Sequence, residues 1–468
     1  MSEWVEKSGA KALTAFGIFC AILICWNPHL GPIDDTFFLQ PYKVLNFWYN
    51  DRFYILDGIE QFMVTQTFGV QPFLYYLINA LEFLVLFYLI IRISKKAFEP
   101  SPRMAFLVPI IVALTPGVTT AYLRLLVPER LLVLCMSVIV FLDQETIKDS
   151  RRKILYVTAA AIGMLLKEPT FLLIGGLSFF RYLEKKDRKF HLGMMLLSAT
   201  YLIVYIILTR VISPASAQYG SGNIHGLPLL AKNIFNYTLN DPAVFLFAIP
   251  TWILLAFRKR LLDPQLSLVC GYTLILLYLG IYQEYYLLPI LPFLIVAAGK
   301  YWASTPRLQK ILLTVLLLNG AVYGLGQVSI YKNEPKGFIV TIQTLANENF
   351  KNKKTVCYLG LKDEYSHEIL WASEVFFARE KPDGVPPLFQ ATENSNDPLC
   401  DYLIDSPYNY SSLTPALDWR TVHHFEPTLA IPSISIRTWI KYFTSKIGST
   451  ALVNQNIFRK HDFVILKR

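Results

Sequence analysis

Long apolar runs alternate with short polar stretches along the first 330 residues of the chain. A membrane-spanning helix needs about 20 predominantly apolar residues, and we expect the shorter runs to be extended by their neighbours or partly buried by other helices. About eleven spans are predicted, at about 10–26, 71–91, 104–115, 129–142, 154–166, 170–182, 192–212, 244–257, 265–282, 287–299 and 311–330. The pattern indicates an α-helical polytopic membrane protein.

Residues 331–468 have a different pattern, in which short apolar runs alternate with polar residues. Such runs predict strands, and apolar positions three or four apart predict helices. The predicted strands are 354–359, 400–405, 420–425 and 462–466, and the predicted helices are 337–350 and 366–379. We therefore expect two domains: a transmembrane catalytic domain at 1–330 and a soluble α/β or α+β domain at 331–468.

Basic residues are distributed unevenly between alternate loops. With the N-terminus in the cytoplasm, the cytoplasmic loops carry 21 Lys and Arg, and the opposite side carries seven when the C-terminal domain is left out. Lys and Arg favour cytoplasmic loops. This bias predicts that the C-terminal domain and the first outer loop, at residues 27–69, lie outside the cytoplasm. The compartment would be the periplasm in a bacterium or the ER lumen in a eukaryote. The compact size favours a bacterial inner membrane.

Composition supports the membrane class and excludes one group of partners. Hydrophobic residues make up 54% of the chain and charged residues 17%, whereas soluble chains carry about 25% charged residues. The net charge of +10 would suit nucleic acid, but the basic residues occupy short loops where they orient spans. Two of the six cysteines, Cys357 and Cys400, lie in the C-terminal domain, where a disulfide and chance placement are equally compatible with the sequence.

Acids, cations and phenols collect at the predicted outer rim of the membrane. Asp34 and Asp35 are adjacent in the first outer loop, ahead of an aromatic-rich run at 37–54. Two carboxylates at close range favour a general base over a permanently ionised spectator. The remaining candidates are Glu129, Glu168, Arg124, Arg130, Lys167, Tyr285 and Tyr286.

Cations beside carboxylates at a membrane surface suit a lipid-linked phosphate donor. Arg and Lys bind the phosphate, and a carboxylate takes the proton of an attacking hydroxyl. A rim cation can equally be an anchor at the headgroup level, and Arg124, Glu129 and Arg130 around Pro128 also fit an ordinary helix start. Glu82, inside the second span, is either functional or a hydrogen-bonded structural residue.

Four short motifs occur in order on the predicted outer side. They are Gly-Pro-Ile-Asp-Asp-Thr-Phe-Phe at 31–38, Arg-Leu-Leu-Val-Pro-Glu-Arg at 124–130, Leu-Leu-Lys-Glu-Pro-Thr at 165–170 and Tyr-Leu-Leu-Pro-Ile-Leu-Pro at 286–292. Together they resemble the GT-C superfamily of glycosyltransferases, which use polyprenyl- or dolichyl-phosphate sugars, near its protein-mannosyltransferase and aminoarabinose-transferase branch. The resemblance covers roughly residues 10–330.

The resemblance implies a role for each candidate residue. Asp34 would be the catalytic base, with Asp35 as its neighbour or an exchangeable candidate. Arg124, Arg130 and Lys167 would bind the donor phosphate, and the other rim residues would support them. One departure concerns the last motif, which is commonly preceded by a basic residue, whereas here Tyr285 follows Glu284. Some relatives bind a divalent metal, so a metal is a further candidate cofactor, although no ligand spacing indicates one.

The leading hypothesis is thus an inverting glycosyltransferase that moves a sugar from a polyprenyl-phosphate donor to an acceptor hydroxyl on a glycan, lipid or protein. A transporter or flippase of lipid-linked glycans would explain the same rim charges without group transfer, but it predicts inverted repeats, which the sequence does not show. A third alternative is an inactive relative that presents its C-terminal domain as a binding module.

Overall fold

The structure is a computed structural model. It describes residues 2–33, 35, 56, 58–144, 149–208, 263–278, 283–302, 306–348, 350, 352–361, 363–409, 418–427 and 462–468, with isolated positions between 234 and 257. Asp34 and the aromatic run at 37–54 lie outside the described residues. The predicted roles of these residues stay predictions.

The described residues form fourteen α-helices and one five-stranded sheet. The first nine helices are α1 Ser2–Cys25, α2 Ile59–Phe68, α3 Pro72–Ala97, α4 Pro102–Leu114, α5 Pro116–Leu123, α6 Glu129–Gln144, α7 Ser150–Leu166, α8 Thr170–Leu183 and α9 Arg188–Ile206. The later elements are α10 Pro264–Tyr278, a 3-10 helix at Glu284–Ile290, α11 Leu291–Trp302, α12 Pro306–Asn319, a π-helical turn at Gly320–Gly324, α13 Leu325–Asn347 and α14 Asp363–Glu380.

Helices occupy ten of the eleven predicted apolar windows, and the window at 244–257 is only partly described. Among the described residues, three helical stretches are long and apolar enough to cross a membrane: Pro72–Ala97, Arg188–Ile206 and Leu313–Asn347. The pair α4 and α5, bent by 51°, makes a fourth if it is one span. The structure confirms a mostly helical chain with several helices suited to a membrane, and the count of eleven spans stays a prediction.

Proline residues set the breaks that shape the predicted outer rim. α5 begins at Pro116, where the Thr115 hydroxyl accepts the backbone N–H of Val118 at 3.4 Å. α7 ends at Leu166 because Lys167 is extended, with φ −156° and ψ 129°, and α8 begins after Pro169. Proline has no N–H for a helix interior and fits the first turn. These breaks leave polar side chains at helix ends.

The C-terminal domain contains a mixed sheet. Its strands are β1 Thr355–Leu359, β2 Leu388–Thr392, β3 Tyr402–Asp405, β4 Arg420–Phe425 and β5 Phe463–Lys467, in the spatial order β2-β1-β3-β5-β4. β1 is parallel to β2 and β3, and β5 is antiparallel to β3 and β4. α14 provides the crossover that parallel neighbours need. All four predicted strands are confirmed within two residues, and β2 was not predicted.

α13 joins the helical part to the sheet, because this helix runs through the predicted boundary at residue 330 without interruption. Its contact with the sheet depends on Gly337, where an added Cβ would lie 2.4 Å from Phe463 Cδ2 and 2.9 Å from Phe425 Cδ1. Only glycine allows the helix to approach β4 and β5 so closely. The sheet therefore packs directly on α13, the helix that connects it to the helical part.

Cys357 and Cys400 form a disulfide, with their Cα atoms 5.8 Å apart. The bond links β1 to the residue that precedes β3 by two positions, so it ties two strands that are already parallel neighbours. The alternative of chance placement, which the sequence left open, is thereby excluded. Cys20, Cys25, Cys135 and Cys270 are free thiols on helices.

Candidate functional site

Three helix ends meet around the predicted rim residues. The first turn of α6 carries Glu129, and the break between α7 and α8 carries Lys167. The 3-10 helix at Glu284–Ile290 packs against α5 and α6 and carries Tyr285 and Tyr286. A carboxylate in the first turn of a helix is stabilised by the positive end of the helix dipole. The structure thus brings together three of the four motifs that carry the resemblance.

Lys167 and Glu129 form a buried ion pair. The lysine ammonium donates to Glu129 Oε1, and the side chains are only 7% and 1% exposed. The same ammonium lies 4.2 Å from the ring centroid of Tyr286, so it also makes a cation–π contact. Glu129 Oε2 is buried and accepts no hydrogen bond within the described part of the chain. One oxygen of this carboxylate is therefore committed to Lys167, and the other is available to a donor from a ligand.

Arg124 supplies a second cation beside the tyrosine pair. Its guanidinium carbon lies 5.7 Å from the ring centroid of Tyr285, and the side chain is partly exposed. The rings of Tyr285 and Tyr286 contact each other edge to face at 5.0 Å. The position that the resemblance leads us to expect to be basic is thus a tyrosine with an arginine over its ring. Arg124 and Lys167 place two positive charges on adjacent rings.

Arg130 has a different environment from the other two cations. It is 1% exposed, and its guanidinium donates to Glu60 and to Glu82 Oε2, the latter at 2.5 Å. It also donates to the backbone oxygen of Leu125 at 3.1 Å. A buried guanidinium between two carboxylates has few donors left for a ligand. This geometry indicates that Arg130 holds α2, α3 and α6 together and does not favour its predicted binding of the donor phosphate. It also gives Glu82 a structural partner.

The carboxylate of Asp35 braces the short segment that follows α1. Asp35 is 7% exposed, and its Oδ2 accepts the backbone N–H of Gly31 at 2.6 Å. Asn79 of α3 fixes the neighbouring rim segment, because its amide donates to the backbone oxygens of Tyr122 and Arg124, both at 3.1 Å. The observed contacts of Asp35 favour stabilisation of the segment after α1, and the proton-accepting role of Asp34, which lies outside the described residues, stays a prediction.

Glu168 lies in the same break as Lys167 and is 6% exposed. Its charge interacts with the phenols of Tyr201 on α9 and Tyr272 on α10, and Tyr272 also interacts with Glu129. Tyr272 is 2% exposed. The sequence did not single out Tyr272, although a lone phenol within an apolar span is a recognisable signal.

No group of three or more His, Cys, Asp or Glu side chains that could hold a metal ion occurs in the part of the chain that the structure describes.

Comparisons with known proteins give likeness only at the level of whole-chain structure. No protein-family model matches the sequence, and no curated protein matches it. Two crystal structures of ArnT from Cupriavidus metallidurans are similar, one bound to undecaprenyl phosphate and one in the apo state. Identity is 12% in both, and the TM-scores are 0.45 and 0.46. The matches cover 98% and 99% of this chain and 97% and 98% of the ArnT chains.

A likeness of this strength decides neither the family nor the reaction of this chain, so the argument for function rests on its own residues. The structure gathers Glu129, Lys167, Glu168 and the two tyrosines, with Arg124 at the edge. It assigns Arg130 to a buried ion-pair cluster and Asp35 to the loop. The result is a compact cluster that contains two cations and one buried carboxylate oxygen with no donor among the described residues.

Proposed function

We propose that the protein is an integral-membrane glycosyltransferase that moves a sugar from a polyprenyl-phosphate donor to an acceptor hydroxyl on the outer face. The observation that carries this proposal is the pair of cations, Arg124 and Lys167, stacked on Tyr285 and Tyr286 next to the buried carboxylate of Glu129. Two cations with a neighbouring hydrogen-bond acceptor suit a phosphorylated sugar better than either a bare phosphate or a neutral glycan.

The donor phosphate would bind between Arg124 and Lys167. Arginine binds phosphate oxygens through two parallel N–H groups, and lysine acts as a point charge. The cation–π contacts hold both side chains in place before the donor arrives, which reduces the ordering that binding would otherwise require. This arrangement takes the place of the basic residue that the last motif lacks.

The sugar would bind through Glu129. Its Oε2 lies buried without a hydrogen-bond partner among the described residues, and an unmet buried acceptor is costly until a donor reaches it. A sugar hydroxyl supplies such a donor. Because the same carboxylate contacts Lys167 through Oε1, one side chain would connect the sugar-binding and phosphate-binding parts of the site.

The reaction would be a single displacement. The acceptor oxygen attacks the anomeric carbon, Asp34 takes the hydroxyl proton, and the bond between the anomeric carbon and the phosphate oxygen breaks with its electron pair going to the phosphate. Arg124 and Lys167 stabilise the negative charge that develops on the leaving polyprenyl phosphate. Attack from the side opposite the phosphate inverts the anomeric configuration.

Two features support placing this reaction outside the cytoplasm. The charge bias of the loops puts the acid pair on the outer side, and the disulfide between Cys357 and Cys400 belongs in an oxidising compartment. Because α13 connects the sheet directly to the helical part, the C-terminal domain would lie on the same side as the site, where we expect it to orient the acceptor.

The lipid tail has a candidate site next to the rim. A cavity of about 180 Å³ lies between α1, α3, α4, α5 and α13, and its lining is apolar. Its lining includes Tyr122 and Leu123, which directly precede Arg124. An isoprenoid chain held there would leave its phosphate near the rim cations.

The test is a transfer assay in proteoliposomes with a panel of polyprenyl-phosphate sugars, with and without chelator. We expect one donor to support transfer, and Arg124→Gln to weaken donor use by about tenfold or more because it removes a charge-assisted bond to phosphate. Arg103→Gln is the matched control, since Arg103 is exposed and far along the chain from the rim. Equal activity of the two variants would contradict the phosphate assignment. Donor translocation without transfer would favour the flippase, and neither activity would favour an inactive relative.

A further inference from the structure

Lys332 is fully buried in α13, although the sequence places it at the start of the soluble domain. Its ammonium donates to the backbone oxygen of Ile24 at 2.5 Å and lies 3.4 Å from the ring centroid of Tyr76. Ile24 is in the last turn of α1, where carbonyl groups lack helical partners and favour a cation. Lys332 therefore fixes the end of α1. The segment that follows α1 and contains Asp35 is called the acidic loop.

The loop that follows α1 is held by the same group of side chains. The Tyr76 hydroxyl donates to the backbone oxygen of His29 at 3.1 Å, and Asp35 accepts the Gly31 N–H. Gly31 faces both Asp35 and α13, since a Cβ on it would lie 3.4 Å from Asp35 Oδ2 and 3.6 Å from Pro335 Cγ. The loop thus packs on α13 around Asp35.

Lys332 and Pro335 lie three positions apart on α13, so they share one face of the helix. Lys332 and Asp35 also attract each other electrostatically. A fully buried ammonium is costly unless it has partners, and here it contacts a helix end and a tyrosine ring. Filling space in an apolar core would not require a charged group at this position.

Burial is the main cause that lowers the pKa of His29, with smaller lowering contributions from Lys336 and Lys332. Among the described residues, Lys332 interacts electrostatically with Cys25 on α1, with His29 and with Asp35. Asp35 also interacts with Tyr75 and Tyr76 on α3. Lys336 on α13 interacts with His29, and Arg379 on α14 interacts with Tyr75.

We propose that Lys332 is a positioning residue that fixes the acidic loop for catalysis by connecting the end of α1, Tyr76 and Asp35. The role in catalysis rests on the glycosyl-transfer function proposed above. Because α13 also carries the sheet through Gly337, the same helix would set the position of the C-terminal domain relative to the loop. Lys332 touches none of the residues proposed to bind the donor phosphate.

Two readouts separate this role from general stabilisation. In Lys332→Met we expect kcat to fall by on the order of 100-fold, because small displacements of a catalytic group have effects of that size. The KM for the donor should change by less than about threefold. The acid limb of the pH–rate profile should move to higher pH, because loss of a neighbouring positive charge disfavours ionised carboxylates. Lys332→Arg should restore part of kcat. Lys310→Met, on an exposed lysine, is the matched control.

A second experiment does not depend on activity. Hydrogen exchange of the peptide containing residues 26–35 should be faster in Lys332→Met and in Tyr76→Phe than in the wild type, because each variant removes one attachment of the loop. If Lys332→Met does not fold, Tyr76→Phe and Lys332→Arg carry the same comparison. Unchanged exchange and an unchanged pH profile would overturn the proposal. Faster exchange in a protein without transfer activity would support the loop attachment while contradicting the proposed function.

Discussion

Replacement of Lys167 by methionine tests the buried ion pair at the centre of the site. The change leaves the Glu129 carboxylate buried, with 1% of its side chain exposed and no cation beside it. Removing one partner of a buried pair costs about 3–5 kcal/mol, and loss of the contact with the Tyr286 ring adds roughly 1 kcal/mol. We therefore expect the free energy of unfolding to fall by about 5 kcal/mol in Lys167→Met.

The double variant Lys167→Met/Glu129→Gln removes both charges. It should lie within about 2 kcal/mol of the wild type, because no unpaired charge is then buried. The free energy of unfolding would be measured in detergent micelles by titration with a denaturing detergent, followed by tryptophan fluorescence. The matched control is the cycle on Lys354 and Asp401, an ion pair of 2.8 Å whose side chains are 42% and 37% exposed, for which coupling should stay below about 1 kcal/mol. A double variant as unstable as Lys167→Met would refute the reasoning.

Three further predictions concern other parts of the molecule. Asp34→Asn should lower the rate of transfer by about 10²–10⁴-fold, the usual contribution of a general base, and full activity of this variant would exclude Asp34 as the base. Asp383→Asn, on the exposed surface, is the control and should leave the rate unchanged. Hydrogen bonds from Tyr402 and then Lys467 lower the pKa of Glu348 below its ordinary value of 4.5, so the stability it contributes is present above that value and is lost as pH falls through the lowered one. Thermal melting against pH should show this loss at higher pH in Tyr402→Phe, and coincident curves would contradict it. Cys20→Trp, which fills the apolar cavity, should raise KM for long-chain donors more than for short-chain donors, and an equal rise would argue against a tail site there.

The sequence predicted most of the secondary structure because the signals are local. Apolar runs located the helices, and alternating apolar residues located β1, β3, β4 and β5 within two positions. β2 at Leu388–Thr392 was not predicted, since it is an edge strand in which Leu388 is 43% exposed. The number of spans also stays open, because several apolar helices are shorter than a membrane crossing.

The candidate site could be predicted only in part. Residue types near helix breaks pointed to Glu129, Lys167 and the tyrosine pair, which do lie together. The partners of Arg130 could not be predicted, because Glu60 and Glu82 are 70 and 48 positions away in the sequence. The burial of Lys332 could not be predicted from the sequence. A lysine among polar residues just after an apolar run resembles the start of a soluble segment, and only the fold shows that Lys332 is buried.

The central claim is group transfer from a polyprenyl-phosphate sugar, and the product of a single turnover tests it most directly. Purified protein in vesicles would be mixed with the donor that supports activity and its acceptor, and both products would be quantified and the glycoside examined by NMR. The account predicts one polyprenyl phosphate released for each glycoside formed, with the anomeric configuration opposite to that of the donor. Retention of the donor configuration would contradict the single displacement, and intact donor moved across the bilayer without release of polyprenyl phosphate would contradict the transferase itself.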